Sequence, residues 1–362
     1  MKVTAAHIDA IAAGSSFLAT GGGGDPYVGA LLAKTFLETF GAVDLIPLER
    51  LDDEATVIAV GGIGAPLISL EKLPNGGEQS WALEALERHI GRTADALIAF
   101  EVGGVNSLLT FVAAARRGLP VVDADGMGRA LPEMQMTTFS IHGVNGTPMA
   151  VVDEHGNSAV VTAQDTETAE RLTRNIALAM GGQCTSAESA MTGATVKQAA
   201  IPGTIGLCHR IGGALTANRN DTPGFLAELT ELMAPTAFGC VTRLMDGKVV
   251  DVLRRTEGGF DVGTIVLQRL DRAGPDMRIS FQNEFLLALE DSALRASVPD
   301  LICIVDSETT RPITSDRIRY GQRVAVIAIG APEVYRSDRA LEAVGPRCFG
   351  FDVDYVPLEH LL

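Results

Sequence analysis

The chain has 362 residues, 46% of them hydrophobic, and a formal net charge of −16. That length suits two domains and that apolar content fills two cores, which excludes a disordered chain. The acidic balance argues against nucleic acid and against an anionic membrane surface as partners, and no apolar run approaches the roughly 20 residues of a membrane span.

The first residues, Met1-Lys2-Val3-Thr4-Ala5-Ala6-His7, lack the apolar stretch of a signal peptide. The five cysteines (Cys184, Cys208, Cys240, Cys303, Cys348) are odd in number, widely spaced and form no C-x-x-C pair. Reduced thiols in a cytoplasmic protein are the expectation.

Thr4 reads as the N-cap of a first helix, which runs into Thr20-Gly21-Gly22-Gly23-Gly24-Asp25-Pro26. Four glycines cost backbone entropy and return access to positive φ and open N–H groups. With Asp25 as N-cap and Pro26 at the first helical position, the following helix would turn its N–H groups and positive dipole end toward the glycines. This predicts a cradle for an oxyanion or carboxylate. The alternative is a tight turn without a ligand.

An α/β series follows. Strands are predicted at 43–48, 56–60, 96–100 and 120–122, with helices near 79–90 and 108–117. Three apolar strands end in glycine-containing polar loops, at Gly61-Gly62-Ile63-Gly64-Ala65-Pro66, at Glu101 to Ser107 and at Asp123 to Arg129. Apolar strands alternating with helices imply a mainly parallel sheet covered on both faces, and ligands bind at strand carboxyl ends. No G-x-G-x-x-G follows a strand and no G-x-x-x-x-G-K-[ST] is present, so no nucleotide cofactor is expected.

A hairpin is predicted at 149–152 and 159–162, then a helix at 166–180, a small-residue strand at 185–193, and helices opened by Pro202-Gly203 and spanning 225–233. Later strands are expected at 240–244, 248–255, 263–270, 277–289, 301–305 and 323–329. Turns at Asp246-Gly247, Gly258-Gly259 and Ala273-Gly274-Pro275 separate them. A short helix at 338–344 and a strand at 351–356 close the chain. The fold class is thus α/β: an N-terminal three-layer α/β domain (1–166) and a C-terminal domain (167–362). The latter comprises a helical connector (167–235), a β-rich barrel or sandwich-like part (236–330), and a tail expected to pack back on the first domain.

Glu101 ends an apolar strand and is a candidate general base or metal ligand, or else a cap for the helix that follows. Asn106 accompanies it as a substrate contact. Asp123 and Asp125, two residues apart, can converge on one substrate or cation. Arg129 would receive a substrate carboxylate bidentately, or pair with Asp125, or with Glu133 at i+4. The D-x-D-G start lacks the further ligands of a calcium loop. No H-x-x-x-H spacing exists, so a metal would need a set assembled from afar, such as Glu101, Asp123, His142 and His209; a structural hydrogen-bonding role is the other reading of each histidine. No G-x-S-x-G elbow supports a serine nucleophile.

These stretches, with Gly258-Gly259-Phe260, Phe281-Gln282-Asn283-Glu284-Phe285 and Val298-Pro299-Asp300-Leu301-Ile302, together resemble the S-methyl thiohydantoin desulfurase family over essentially the whole chain. The resemblance implies a three-layer α/β domain plus a β-rich domain, and removal of sulfur from a thiohydantoin in the catabolism of hydantoin-like rings. It also implies an association with hydantoinase and oxoprolinase proteins. The expected activity is hydrolysis, with Glu101, Asp123 or Asp125 as catalytic acids or bases and with Thr20, Gly21, Gly22, Gly23, Gly24, Asp25, Asn106 and Arg129 holding the small-molecule substrate. A divalent metal is left open, and a homodimer or larger oligomer is an expectation. The competing expectation is a non-catalytic accessory or ligand-binding subunit. The geometric expectation is that Gly21 to Asp25 lies within one small-ligand length of Glu101 and Asp123.

Overall fold

The alternation seen in the sequence becomes two cores on either side of one sheet. The computed structural model describes residues 1–64, 72–271 and 274–362; the Ala65-Pro66 end of one glycine loop and Ala273 of one turn lie outside the described residues. In chain order the first half contains β1 (Lys2–Val3), α1 (Ala5–Leu18), α2 (Tyr27–Phe40), β2 (Val43–Ile46), β3 (Thr56–Gly64), α3 (Glu78–Ile90), β4 (Ala96–Ala99), α4 (Asn106–Arg117), β5 (Val121–Asp125), α5 (Thr138–Ile141), β6 (Met149–Val152) and β7 (Ser158–Val161). The chain continues through α6 (Thr166–Ala179), β8 (Gln183–Thr192), α7 (Gly193–Ala199), β9 (Ile201–Pro202), α8 (Thr204–Ala217) and α9 (Thr222–Met233). Polar caps set several helix starts: Asp165 accepts from Thr168 N at 2.7 Å and Asp221 from Gly224 N at 3.0 Å.

These strands form one sheet in the order β1-β2-β5-β4-β3-β8-β6-β7, with β9 beside β5. β2, β5, β4 and β3 run parallel; β8 joins β3 antiparallel and carries β6 and β7 beyond it. Leu97 and Ala99 of β4, with Ile58 and Val60 of β3, enter the core under α1 to α4, α8 and α9. Ala96 and Ile98, with Val57 and Ala59, enter the opposite core with α5, α6 and α7. Side chains alternate faces along a strand, so an unbroken apolar strand feeds two cores at once.

The second sheet comprises β10 (Val241–Glu257), β11 (Phe260–Arg269), β12 (Met277–Gln282), β13 (Glu284–Glu290), β14 (Ala293–Ser297), β15 (Leu301–Asp306) and β16 (Arg323–Ile329). It is a curled, antiparallel half-barrel in the order β14-β13-β12-β11-β10-β16-β15. Ile302, Ile304, Val324 and Val326 fill its own core, whereas Leu301, Cys303, Ala325 and Ile327 point into the core under α1 and α9. The final helix α10 (Asp338–Val344) follows Tyr335, whose hydroxyl donates to Met136 O at 3.1 Å.

Four expectations change. Asp246-Gly247 is no turn: β10 runs through it, bending at bulges near Arg243/Met245 and Val249/Asp251. The single strand expected over 277–289 is a hairpin, reversed at Asn283, which adopts φ +58°, a conformation asparagine tolerates. β3 continues through Gly64 because β8 pairs with it there. Residues 351–356 form no strand. Among the described residues no helix is long and apolar enough to cross a membrane.

Candidate functional site

The glycine loop and the loop before α4 are pressed together backbone to backbone. Ser15, buried on α1, donates to the carbonyls of Val102 and Gly104 and contacts Ser107 Oγ at 2.8 Å. Gly23 O accepts from Val105 N at 2.8 Å. A Cβ on Gly104 would stand 2.0 Å from Gly23 O, so only glycine permits the approach. On its other side the loop joins the half-barrel: Thr20 O accepts from Phe285 N at 2.6 Å and Gly21 O from Ser315 N at 2.8 Å.

This brings Glu284, the first residue of β13, into the predicted cradle. A Cβ on Gly22 would lie 1.8 Å from Glu284 Oε1, and the Gly23 N–H bonds the Glu284 carboxyl. The cradle does hold a carboxylate, but one belonging to its own chain. Asp25 sits one residue further out than expected. Pro26 takes the N-cap position of α2, and Asp25 accepts from Tyr27 N at 2.9 Å and from Arg317 Nη2 at 2.8 Å.

Glu284 and Glu101 line one cleft of about 80 Å³, together with Gly23, Phe100, Asn106 and Leu131. Glu101 accepts from Asn106 Nδ2 at 2.5 Å and from Leu131 N at 3.2 Å. Burial pushes its carboxyl well above the ordinary value of 4.5, and the neighbouring Glu284 charge pushes it further. Burial likewise raises Glu284 to about 8, against the opposing pull of Arg129. Two buried carboxyls that repel each other hold a proton at neutral pH. Asn106 Oδ1 and Glu284 Oε2 are buried acceptors without a donor, which is costly unless something else supplies one.

A second arm of about 120 Å³ adjoins the cleft and shares Val105 and Leu109, at the start of α4, with it. Val28, Pro74, Val152 and Cys184 give it apolar walls, and Lys72, Gln79 and Arg317 also line it.

The other expected residues are placed elsewhere. Asp125 is buried, and its Oδ2 accepts from the N–H groups of Val102 (2.7 Å), Met127 (2.9 Å) and Gly128 (2.8 Å). It clamps the two loops and does not line the cleft. Burial raises its carboxyl to about 6. Asp123 turns to the start of α8, accepting from Gly206 N at 2.8 Å, which removes it from Glu101. Arg129 spends all five of its N–H donors inside the protein: on Ala130 O (3.0 Å), Pro299 O (3.0 Å), Asp300 O (3.0 Å), Thr20 Oγ1 (2.7 Å) and Phe285 O (3.4 Å). No donor is left for a substrate. Glu133 bonds Gln135 at 2.9 Å rather than Arg129. His142 is exposed and bonds Thr138 O at 2.8 Å, and His209 packs on the His7 ring at 5.3 Å. The set Glu101, Asp123, His142 and His209 is therefore not assembled, and among the described residues no cluster of three or more His, Cys, Asp or Glu stands ready for a metal.

Two family models match the chain end to end: S-Me-THD-like, N-terminal domain, over residues 6–163, and S-Me-THD-like, C-terminal domain, over residues 164–358. The chain belongs to the S-Me-THD-like family. This is the S-methyl thiohydantoin family that its motifs resemble. A crystal structure of a protein from Chromobacterium violaceum, solved by a structural genomics consortium, shares the fold at 22% identity. Its TM-score is 0.83 over 99% of this chain and 100% of that one. No curated protein matches.

In this S-Me-THD-like chain the residue that sequence reasoning missed is Glu284. It was visible only as part of a family stretch; the signal that could have found it is Asn283, a turn former interrupting an apolar run. A further buried acid, Glu188 on β8, does not line the cleft. Ser186 Oγ donates to it at 3.0 Å, and burial raises its carboxyl to about 8. A raised carboxyl stabilises the fold fully below its unfolded value of about 4.5, and that contribution is lost as pH rises through about 8. Glu188→Gln should therefore gain on the wild type by about 3 kcal/mol between pH 4.5 and pH 7. Urea denaturation at the two pH values reads this directly, and an unchanged difference would refute it.

Proposed function

We propose that this protein hydrolyses a thiohydantoin or S-methyl thiohydantoin ring, releasing the sulfur by water attack at the ring carbon that bears it. The observation that carries the reading is the buried Glu101–Glu284 pair facing one cleft beside the unpartnered Asn106 Oδ1. A five-membered ring with N–H donors meets those acceptors, and family membership supports the choice of ring. One carboxylate takes a proton from water as its oxygen bonds to the ring carbon, while the protonated partner delivers a proton to the ring nitrogen. The carbon–sulfur bond then breaks, the sulfur leaves as methanethiol with the hydroxyl proton, and the ring carbon becomes the carbonyl of a hydantoin. In an unmethylated thiohydantoin water adds across the carbon–sulfur double bond, and the protonated partner delivers its proton to sulfur rather than to nitrogen. Hydrogen sulfide then leaves as the hydroxyl gives up its proton and the ring carbon becomes the carbonyl.

The test is release of thiol or sulfide from synthetic thiohydantoins by the purified protein. Binding of hydantoins with no release from any of them would assign an accessory role instead. The rate should follow a bell-shaped pH profile. Its acid limb is set by whichever carboxyl must be ionised and lies above the ordinary 4.5; its alkaline limb is set by the one that must stay protonated and lies at about 8 or higher. An acid limb near 4.5 would place the base on a solvated carboxylate outside the cleft.

A further inference from the structure

Gln79 is a side chain without a job in the fold. It is 1% exposed in the first turn of α3, its Oε1 has no donor, and it lines the second arm of the cleft. A buried amide oxygen without a donor costs on the order of 1–3 kcal/mol, so its partner is to be sought in whatever fills the arm. The arm shares Val105, Leu109, Gln183 and Thr185 with the carboxyl cleft. The arm thus lies beside a ring seated at Glu101 and Glu284, within reach of one ring substituent.

The charges of the arm exclude an anion at its end. Among the described residues, four carboxylates line it (Asp25, Glu78, Asp153, Glu154) against two cations, Lys72 and Arg317. Both cations are already engaged. Lys72 Nζ pairs with Glu154 at 2.6 Å and donates to Gln183 O at 2.9 Å; Arg317 pairs with Asp25 at 2.8 Å. The carboxylates are occupied too: Glu78 accepts from Asn75 N and Gly76 N at 2.5 and 2.6 Å, and Asp153 from Asn157 Nδ2 at 2.7 Å. A charged group entering here would lose its hydration and find each opposite charge taken. A neutral group would lose little, and one that carries an N–H or O–H would satisfy Gln79 Oε1.

We infer that Gln79 selects the ring substituent, and that the substrate carries an apolar stem ending in a neutral hydrogen-bond donor such as a carboxamide. This assignment rests on the ring reading of the carboxyl cleft. Val28, Pro74, Val105, Leu109 and Val152 bury the stem. Gln79 exchanges one hydrogen bond in each direction with a terminal amide, a two-point contact that a carboxylate cannot complete, because it has no donor for Oε1.

Three hydantoins test this by calorimetry, alike except at the end of a two-carbon substituent: a carboxamide, a carboxylate and an isopropyl group. The wild type should bind the carboxamide at least about fivefold more tightly than either of the others. Gln79→Leu should remove that preference, weakening the carboxamide about fivefold and leaving the isopropyl compound within about twofold. Gln79→Met serves the same purpose if the leucine variant does not fold. On the matching thiohydantoin substrates the change should appear in KM and leave kcat alone. Tightest binding of the carboxylate, or an equal loss for all three compounds in both variants, overturns the assignment. Failure of the ring reading is separate: it is the absence of sulfur release from every thiohydantoin, and the hydantoin binding order is read without turnover.

Discussion

Glu284→Gln is expected to lower kcat for sulfur release by two to four orders of magnitude, the usual share of a positioned acid or base, with the fold retained. The exchange keeps the shape of the side chain, and a carboxamide oxygen can still accept from the Gly23 N–H. What it removes is the proton that shuttles between the pair. It also removes the repulsion that helps raise Glu101, so in whatever residual rate survives, the limb that Glu101 sets should be displaced to lower pH. Glu101→Gln should cost a similar factor. The double variant should lose no more than the weaker single one, because two groups that act as a unit are not additive. Turnover equal to wild type in both single variants would end the paired-carboxyl mechanism.

Arg129→Met should destabilise the protein by about 3–5 kcal/mol, because several buried neutral acceptors lose their donor at once, at about 1–3 kcal/mol for each left unpaired. Methionine fills much of the volume and offers no donor. The carbonyls of Ala130, Pro299, Asp300 and Phe285 and the hydroxyl of Thr20 would each lose an N–H inside a dry interior. Arg129→Lys should recover little, since three donors on a point charge cannot replace five in a planar fork. Arg129 also holds the Glu284 carboxyl down, so its loss should move whichever limb of the pH profile Glu284 sets to higher pH. Denaturation midpoints of the two variants decide the matter; a loss below about 1 kcal/mol in Arg129→Met would show that water replaces the guanidinium cheaply.

The layered half of the fold was legible because its strands carry their own signature. Residues 96–99 can only be buried on both faces, and the polar residues after them, Glu101 and Asn106, follow at the strand end where sites form. The half-barrel was less legible, since β10 bends at bulges instead of ending at Asp246-Gly247 and Asn283 reverses the chain inside what looks like one long strand. That reversal hid Glu284. The roles of Arg129 and Asp123 were hidden for another reason. Their partners are about 170 and 83 residues away in sequence, and a polar side chain near glycines looks the same whether it waits for a ligand or grips a distant carbonyl. Periodicity reports burial; it does not report which acceptor a buried donor will find.

One feature of the first sheet bears on how such a protein can change over generations. β8 comes from the half of the chain matched by the C-terminal family model, yet it lies between β3 and β6, inside the sheet built by the other half. Splitting the chain at residues 163 and 164, or joining the first half to an unrelated second one, would leave a sheet with a strand missing from its interior and a raw edge on β3. Shuffling cannot trade one half for a foreign one, as it can with beads on a string. The lineage is free to vary the walls of the cleft residue by residue, but the two halves travel through descent as a single heritable piece.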